Sequence, residues 1–256
     1  MDYDSLTSLP AMYFANTEEI GARPFLWAKR DGEWQPKSGM EARGEAAALA
    51  NALTGLGVAK GDRVALVSES RPKWMIADIA IMAAGGIAVP TYTTNQVSDH
   101  LHVLRDSGAK GAIVSGPALA KNLLPAAAEA GLEFIVTMEP LAETPAGTTV
   151  HLWDELVAGS SDDAPDLSGI ARSNTSCLIY TSGTGGVPKG VMLSHGAIIS
   201  NCKGAFDLLM NLGLDDEKFL SFLPLSHSYE HTAGLMFPLS IKAQIYYAEG
   251  VDKLAA

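Results

Sequence analysis

The run Leu178-Ile179-Tyr180-Thr181-Ser182-Gly183-Thr184-Gly185-Gly186-Val187-Pro188-Lys189-Gly190-Val191 gathers hydroxyls, glycines and one lysine into a single loop. Glycines let backbone N–H groups turn inward toward anionic oxygens, hydroxyls add neutral donors, and a lysine adds a compact point charge. The chemistry such a set supports is the binding of a polyphosphate such as ATP. Spacing excludes two other phosphate loops. The dinucleotide fingerprint would need glycine at position 188, which is Pro188; the phosphate loop of nucleoside triphosphatases would need Gly-Lys-Ser/Thr, but Lys189 sits between Pro188 and Gly190. Behind the loop, Val191-Met192-Leu193 reads as a strand and Ser194 as the N-cap of a helix reaching about Leu209. With no helix N-terminus next to the loop, phosphate binding must rest on backbone donors, hydroxyls and Lys189.

A second segment, Phe222-Leu223-Pro224-Leu225-Ser226-His227-Ser228-Tyr229-Glu230-His231, sets two histidines and a glutamate behind a proline turn. The loop resembles the signature of the adenylate-forming (AMP-binding) superfamily of acyl-CoA synthetases, luciferases and peptide-synthetase adenylation domains, Tyr-Thr-Ser-Gly-Thr-Thr-Gly-x-Pro-Lys-Gly. It departs at Gly185, where the family usually has threonine, so one hydroxyl is absent and the backbone gains freedom. The second segment is similar to the Leu-Pro-Leu-x-His-x-x-Glu stretch of long-chain fatty acyl-CoA synthetases; amino-acid adenylation domains carry a Phe-Asp pair in this region. Gly61-Asp62-Arg63-Val64, the helix from Trp74 to Gly86, Val89-Pro90-Thr91-Tyr92-Thr93-Thr94 and Asp106-Ser107-Gly108-Ala109-Lys110 extend the likeness from about residue 23 to the last residue.

The resemblance implies a long-chain fatty acid–CoA ligase that uses ATP, Mg²⁺ and coenzyme A. A fatty acid carboxylate is adenylated, and the acyl group then passes to the thiol. On this reading Thr181, Ser182, Gly183, Thr184, Gly185, Gly186 and Lys189 hold the ATP phosphates, and Thr184 also reaches the Mg²⁺. Lys189 and His227 are the catalytic candidates; His227, Tyr229 and Glu230 line the acyl site. Glu230 could equally cap or pair with the helix behind it, and Thr181 and Thr184 could serve local turns. The resemblance also implies that the Tyr-Gly-x-Thr-Glu segment, the Thr-Gly-Asp segment and a mobile C-terminal domain with its lysine lie outside these 256 residues. The expected fold is therefore an incomplete N-terminal domain, inactive by itself. Two alternatives stay open: an acyl-AMP or aryl-acid ligase of the same superfamily, and a non-catalytic nucleotide- or acyl-binding remnant.

Composition narrows the partners. A hydrophobic content of 47% is enough for a sizeable core, and the net charge of −11 repels nucleic acid and anionic lipid alike. No nucleic-acid partner is expected. The longest nearly apolar run, Met75 to Val89, is broken by Asp78 and falls short of the ~20 residues of a spanning helix. No transmembrane segment is expected; peripheral membrane contact and a homodimer are both compatible with the sequence. Two cysteines, Cys177 and Cys202, read as buried thiols of a cytoplasmic protein.

The elements that must position the loop alternate. Ser38 with Glu41 makes a capping box for a helix ending near Gly57, and a strand follows at 63–67. Pro72 opens a helix apolar nearly all round, which Gly85-Gly86 closes before a strand at 87–89. A helix carrying Val97, Leu101 and Leu104, a strand at 111–115, a helix at 117–130 and a strand at 133–137 complete the first set. The pattern predicts an α/β fold with largely parallel sheets flanked by helices. Residues 158–174 read as a connection, so residues 1–165 form a first α/β unit, and 166–256 begin a second that carries the phosphate loop. Within it, strands at 218–222 and 244–248 flank a helix near 231–240. His195 reads as a helix-start residue, and His151 and Trp153 as packing.

Overall fold

The computed structural model describes residues 2–142, 148–181, 186–214 and 216–250. Helix α1 (Leu9–Ile20) starts where the Ser8 hydroxyl accepts from the Ala11 N–H, and it ends at Gly21. Strands β1 (Pro24–Arg30) and β2 (Glu33–Ser38) pair antiparallel through Asp31-Gly32. Both turn residues have positive φ, 53° and 82°, the geometry of a tight two-residue hairpin. Ser38 then caps α2 (Gly39–Gly55), and the reciprocal Glu41 bond completes the expected capping box.

Strand β3 (Arg63–Val67), helix α3 (Pro72–Ala83), strand β4 (Ile87–Pro90), helix α4 (Val97–Ser107), strand β5 (Ala109–Val114), helix α5 (Pro117–Ala130) and strand β6 (Phe134–Thr137) follow as a strand–helix alternation. Two small elements come next, β7 (Thr149–Leu152) and α6 (Trp153–Ala158), before strands β8 (Thr175–Thr181) and β9 (Lys189–Ser194) and helix α7 (His195–Leu209). Strand β10 (Lys218–Ser221), a helical segment from Ser228 to Ser240 whose middle turn, His231–Met236, is π-helical, and strand β11 (Gln244–Tyr247) close the described chain.

Among the described residues the strands form two sheets. The larger has seven strands in the order β7-β6-β5-β3-β4-β8-β9 and is parallel except for the β8–β9 hairpin. The smaller is β10-β11-β1-β2. The sheets do not follow the division read near residue 165: β8 and β9 extend the sheet begun by β3, while β10 and β11 join the N-terminal hairpin. The stretch between α6 and β8 crosses from one edge of the large sheet toward the other.

Burial follows the two-residue period of a strand. Along β3, Val64 and Leu66 enter one core, whereas Ala65 and Val67 face the core under α4 and α5. The first core runs without a break through α1, α2, α3 and α7 to Phe25, Leu26 and Ile245 of the small sheet. Helix α3 is caught inside it, which explains an apolar surface on every side; Trp74, Met75 and Ile79 are all fully buried. Trp153 is fully buried, as expected, and its indole N–H donates to Glu45 at 2.8 Å.

Candidate nucleotide site

The hydroxyl-rich loop is the connection of the β8–β9 hairpin. Cys177 and Ile179 of β8 are buried and anchor that arm in the main core. In the hairpin register Tyr180 faces Gly190, and Thr181 faces Lys189. The arms therefore close on the residues that bound the loop, with Thr181 and Lys189 as exposed cross-strand neighbours. Ser182, Gly183, Thr184 and Gly185, four of the expected phosphate ligands, lie outside the described residues, as does the expected Mg²⁺ ligand Thr184. Gly186, the next one described, has φ 141° with open space where a Cβ would stand. That backbone is costly for any other residue. Lys189 makes no salt bridge among the described residues, which suits an ammonium group kept for an anionic ligand.

Gly190 has a different reason to be glycine. A Cβ there would stand 3.1 Å from the Tyr180 ring. The ring is buried, and its hydroxyl donates to Asp106 at 2.7 Å. Burial, with the Asp106 carboxylate adding to it, raises the phenol pKa well above its ordinary value. The tyrosine before the loop and the glycine behind the lysine are thus two halves of one packing contact. Behind β9, the Ser194 hydroxyl accepts from the Ala197 N–H, the expected N-cap. His195 is buried, and its Nδ1 accepts from the Leu9 N–H at 3.3 Å. Burial lowers its pKa to about 4, so the ring is a neutral packing group at the helix start.

The second segment stands on the small sheet, where β10 is an edge strand. The chain turns at Pro224, whose carbonyl accepts from the His227 N–H at 2.9 Å, and the Leu223 carbonyl accepts from Ser70 at the entrance to α3. His227 is exposed, and its Nδ1 accepts from the Tyr229 N–H at 3.2 Å, which leaves Nε2 as the ring's donor. Tyr229 is 63% exposed. Glu230 goes the other way: it is buried, accepts from the Ser221 hydroxyl at 2.8 Å, and lies so close to Gly234 that a Cβ there would clash with its carboxylate. The structure thus brings His227 and Tyr229 to the surface and turns Glu230 inward.

One pair was not singled out from the sequence. His231 Nε2 and Asp78 Oδ2 are 2.9 Å apart, and both side chains are fully buried. This bond joins α3 to the π-helical turn, with Trp74 packed edge-on against the imidazole. The sequence signal for it was a lone carboxylate in an otherwise apolar helix. Among the described residues, no group of three or more His, Cys, Asp or Glu side chains is placed to hold a metal, and no helix is long and apolar enough to cross a membrane.

Comparison with known proteins agrees with this arrangement. The model of the AMP-binding enzyme family matches residues 15–256. A long-chain-fatty-acid–CoA ligase of Mycobacterium tuberculosis is 35% identical over 77% of this chain and 33% of its own length. A peroxisomal long chain acyl-CoA synthetase of Arabidopsis thaliana is 30% identical over 87% of this chain and 32% of its own. The chain thus spans about a third of the length of these relatives. Among solved structures, a benzoate CoA ligase from Burkholderia xenovorans superposes with a TM-score of 0.77 at 25% identity, over 95% of this chain and 46% of that one. A hydroxyl- and glycine-rich hairpin loop ending in an exposed lysine, an α/β fold shared with a CoA ligase, and a family match over nearly the whole chain converge: the chain belongs to the AMP-binding enzyme family.

Proposed function

We propose that these residues serve an ATP-dependent long-chain fatty acid–CoA ligase. The observation that carries the reading is the β8–β9 hairpin, whose register sets Thr181 beside Lys189 at the mouth of the hydroxyl-rich loop. The acid specificity is supported by the two curated relatives, each named for long-chain substrates. In the first half-reaction a carboxylate oxygen of the fatty acid attacks the α-phosphorus of ATP; the bond to the bridging oxygen breaks, and pyrophosphate leaves from an acyl-adenylate. In the second, the thiol of coenzyme A gives up its proton to solvent, its sulfur attacks the acyl carbonyl, and AMP leaves with the bonding pair. Neither step needs a protein nucleophile.

What the protein supplies is positioning and charge. Lys189, the hydroxyls of Thr181, Ser182 and Thr184, and backbone N–H groups of residues 183–186 hold the β- and γ-phosphates and stabilise the charge that grows on pyrophosphate. Mg²⁺, with Thr184 as its proposed ligand, supplies charge neutralisation on the nucleotide. His227, a surface donor through Nε2, and Tyr229 face the acyl-adenylate; Glu230 supports their turn from inside. A cytoplasmic location belongs to the same proposal, supported by two buried free thiols, with burial raising Cys202 to about 12 and Cys177 higher still.

ATP–pyrophosphate exchange by the full-length gene product with a panel of carboxylic acids tests the reading. Exchange with palmitate but not benzoate is the expected outcome. Exchange with benzoate alone would make the protein an aryl-acid ligase, and Mg·ATP binding without exchange for any acid would make it a nucleotide-binding relative that has lost the chemistry.

A further inference from the structure

The phosphate hairpin is gripped from outside its own motif. On α4, His102 and Asp106 are four residues apart and so share one face of the helix. Asp106 accepts the Tyr180 hydroxyl at 2.7 Å, two residues before the undescribed part of the loop. His102 Nε2 lies 2.7 Å from the carbonyl oxygen of Pro188, the residue before Lys189. A carbonyl can only accept, so Nε2 carries the proton and donates. The two contacts are linked: the His102 ring meets the Tyr180 ring edge-on at 6.1 Å and 90°, and Tyr180 in turn packs on Gly190. Tyr180 and Val103 of α4 also share a small buried cluster with Val89.

We propose that α4 braces the phosphate loop, with His102 and Asp106 as positioning residues that fix its two roots; this rests on the reading of the loop as the ATP-phosphate site. Strand alternation puts Tyr180 on the α4 face and Thr181 with its partner Lys189 on the opposite, solvent face, and their burial follows that alternation. A helix behind the hairpin can therefore set the lysine's direction without touching the ligand. The grip matters because the loop holds Gly183, Gly185 and Gly186 within four positions. Glycines lose the most freedom on ordering, and any order imposed beforehand is not charged against ligand binding. His102 acts on the most useful peptide unit, since the carbonyl it holds is the one bonded to the Lys189 nitrogen.

Mg·ATP binding and amide hydrogen exchange over residues 186–191, measured on the full-length gene product carrying His102→Leu or His102→Gln, test the brace. Glutamine offers an N–H donor at a reach similar to Nε2, whereas leucine offers none. The expected result is binding weakened roughly threefold to tenfold in His102→Leu, the equivalent of one lost hydrogen bond. Exchange in the Lys189 arm should be faster, and both properties should return most of the way in His102→Gln. A structural role unconnected with the donor would leave the two variants equally impaired, and that result overturns the proposal. So do unchanged binding and unchanged exchange in a folded His102→Leu protein. If His102→Leu does not fold, Tyr180→Phe carries the same test at the other root, because the acceptor it abandons, Asp106, is exposed. Mg·ATP binding equal to wild type in that variant counts against the brace. A wild-type protein that takes up no Mg·ATP overturns the proposal through the functional reading instead; where the wild type does bind, Lys189→Ala abolishes that binding only if the loop is the phosphate site.

Discussion

Lys189 and Gly190 are neighbours with opposite duties. The lysine is exposed and contributes little to the core, so Lys189→Ala should leave the thermal midpoint within about 1 °C of wild type, as surface substitutions do. If the ammonium group stabilises the leaving pyrophosphate, the same change in the full-length gene product should slow acid-dependent pyrophosphate exchange by about 10²–10³. Unchanged exchange in the folded variant would remove Lys189 from the mechanism. Gly190→Ala should do the reverse, because its new Cβ would stand 3.1 Å from the buried Tyr180 ring. Overpacking of that kind costs about 1–3 kcal/mol, and urea unfolding would read it directly. A fully stable Gly190→Ala protein would mean that the tyrosine yields, and that the ring does not set the hairpin's geometry.

Elements meet at the Asp78–His231 bond, which ties α3 to the turn carrying His227 and Tyr229. Asp78 Oδ1 and His231 Nδ1 have no hydrogen-bond partner among the described residues, so each side chain depends on the one bond between them. Removing one member leaves the other polar group uncompensated in the core, at a cost of about 3–5 kcal/mol when the abandoned group is a carboxylate. His231→Leu should lose about that much in urea unfolding, and the double change Asp78→Leu with His231→Leu should recover most of it, since two apolar groups need no partner. A double variant no more stable than the single one would show that the bond is not what makes His231 necessary. The nearby Tyr247 hydroxyl is also buried and has no hydrogen-bond partner among the described residues; burial, with the Glu230 and Asp78 carboxylates, raises its pKa far above normal.

For the whole molecule, acid should be destabilising in a defined window. Burial lowers both His100 and His195 from 6.5 to about 4, with Asp99 partly opposing the shift at His100. The unfolded chain takes up these protons at higher pH than the folded one. The histidines' stabilisation is thus fully present above about pH 6.5 and lost as pH falls toward 4, up to roughly 3 kcal/mol for each. Unfolding free energies at pH 7.5 and pH 5 should differ in that direction, and His195→Gln should flatten the slope. A slope unchanged in that variant would assign the acid sensitivity to carboxylates. The Leu9 N–H bond supports the neutral ring, because Nδ1 can accept there only while unprotonated.

Local chemistry decided what the sequence could reveal. The capping box at Ser38, the N-cap at Ser194, the bounds of α5 and β3, and the strands on both sides of the hydroxyl-rich loop depend on residues within a few positions of one another, and each stands where the sequence placed it. The β1–β2 hairpin has a local signal of its own in Asp31-Gly32, but its strands mix polar with apolar residues and so lack the alternation that marks a strand. Helix α1 escaped for a related reason: its buried face includes Asn16 and Thr17, so it lacks a clean apolar stripe. Other features had no local signal. That β11 runs beside β1, more than two hundred residues away in the chain, could not be read from either segment, because a strand's sequence encodes a pleated surface and not the neighbour that covers it. Glu230 shows the same limit at the site: the motif supplied a glutamate, and only the packing of Ser221 and Gly234 around it turned the carboxylate inward. The sequence determined which groups could handle a phosphate, whereas the contact of α4 with Pro188, spanning 86 positions, exists only once the sheet has brought the helix and the hairpin together.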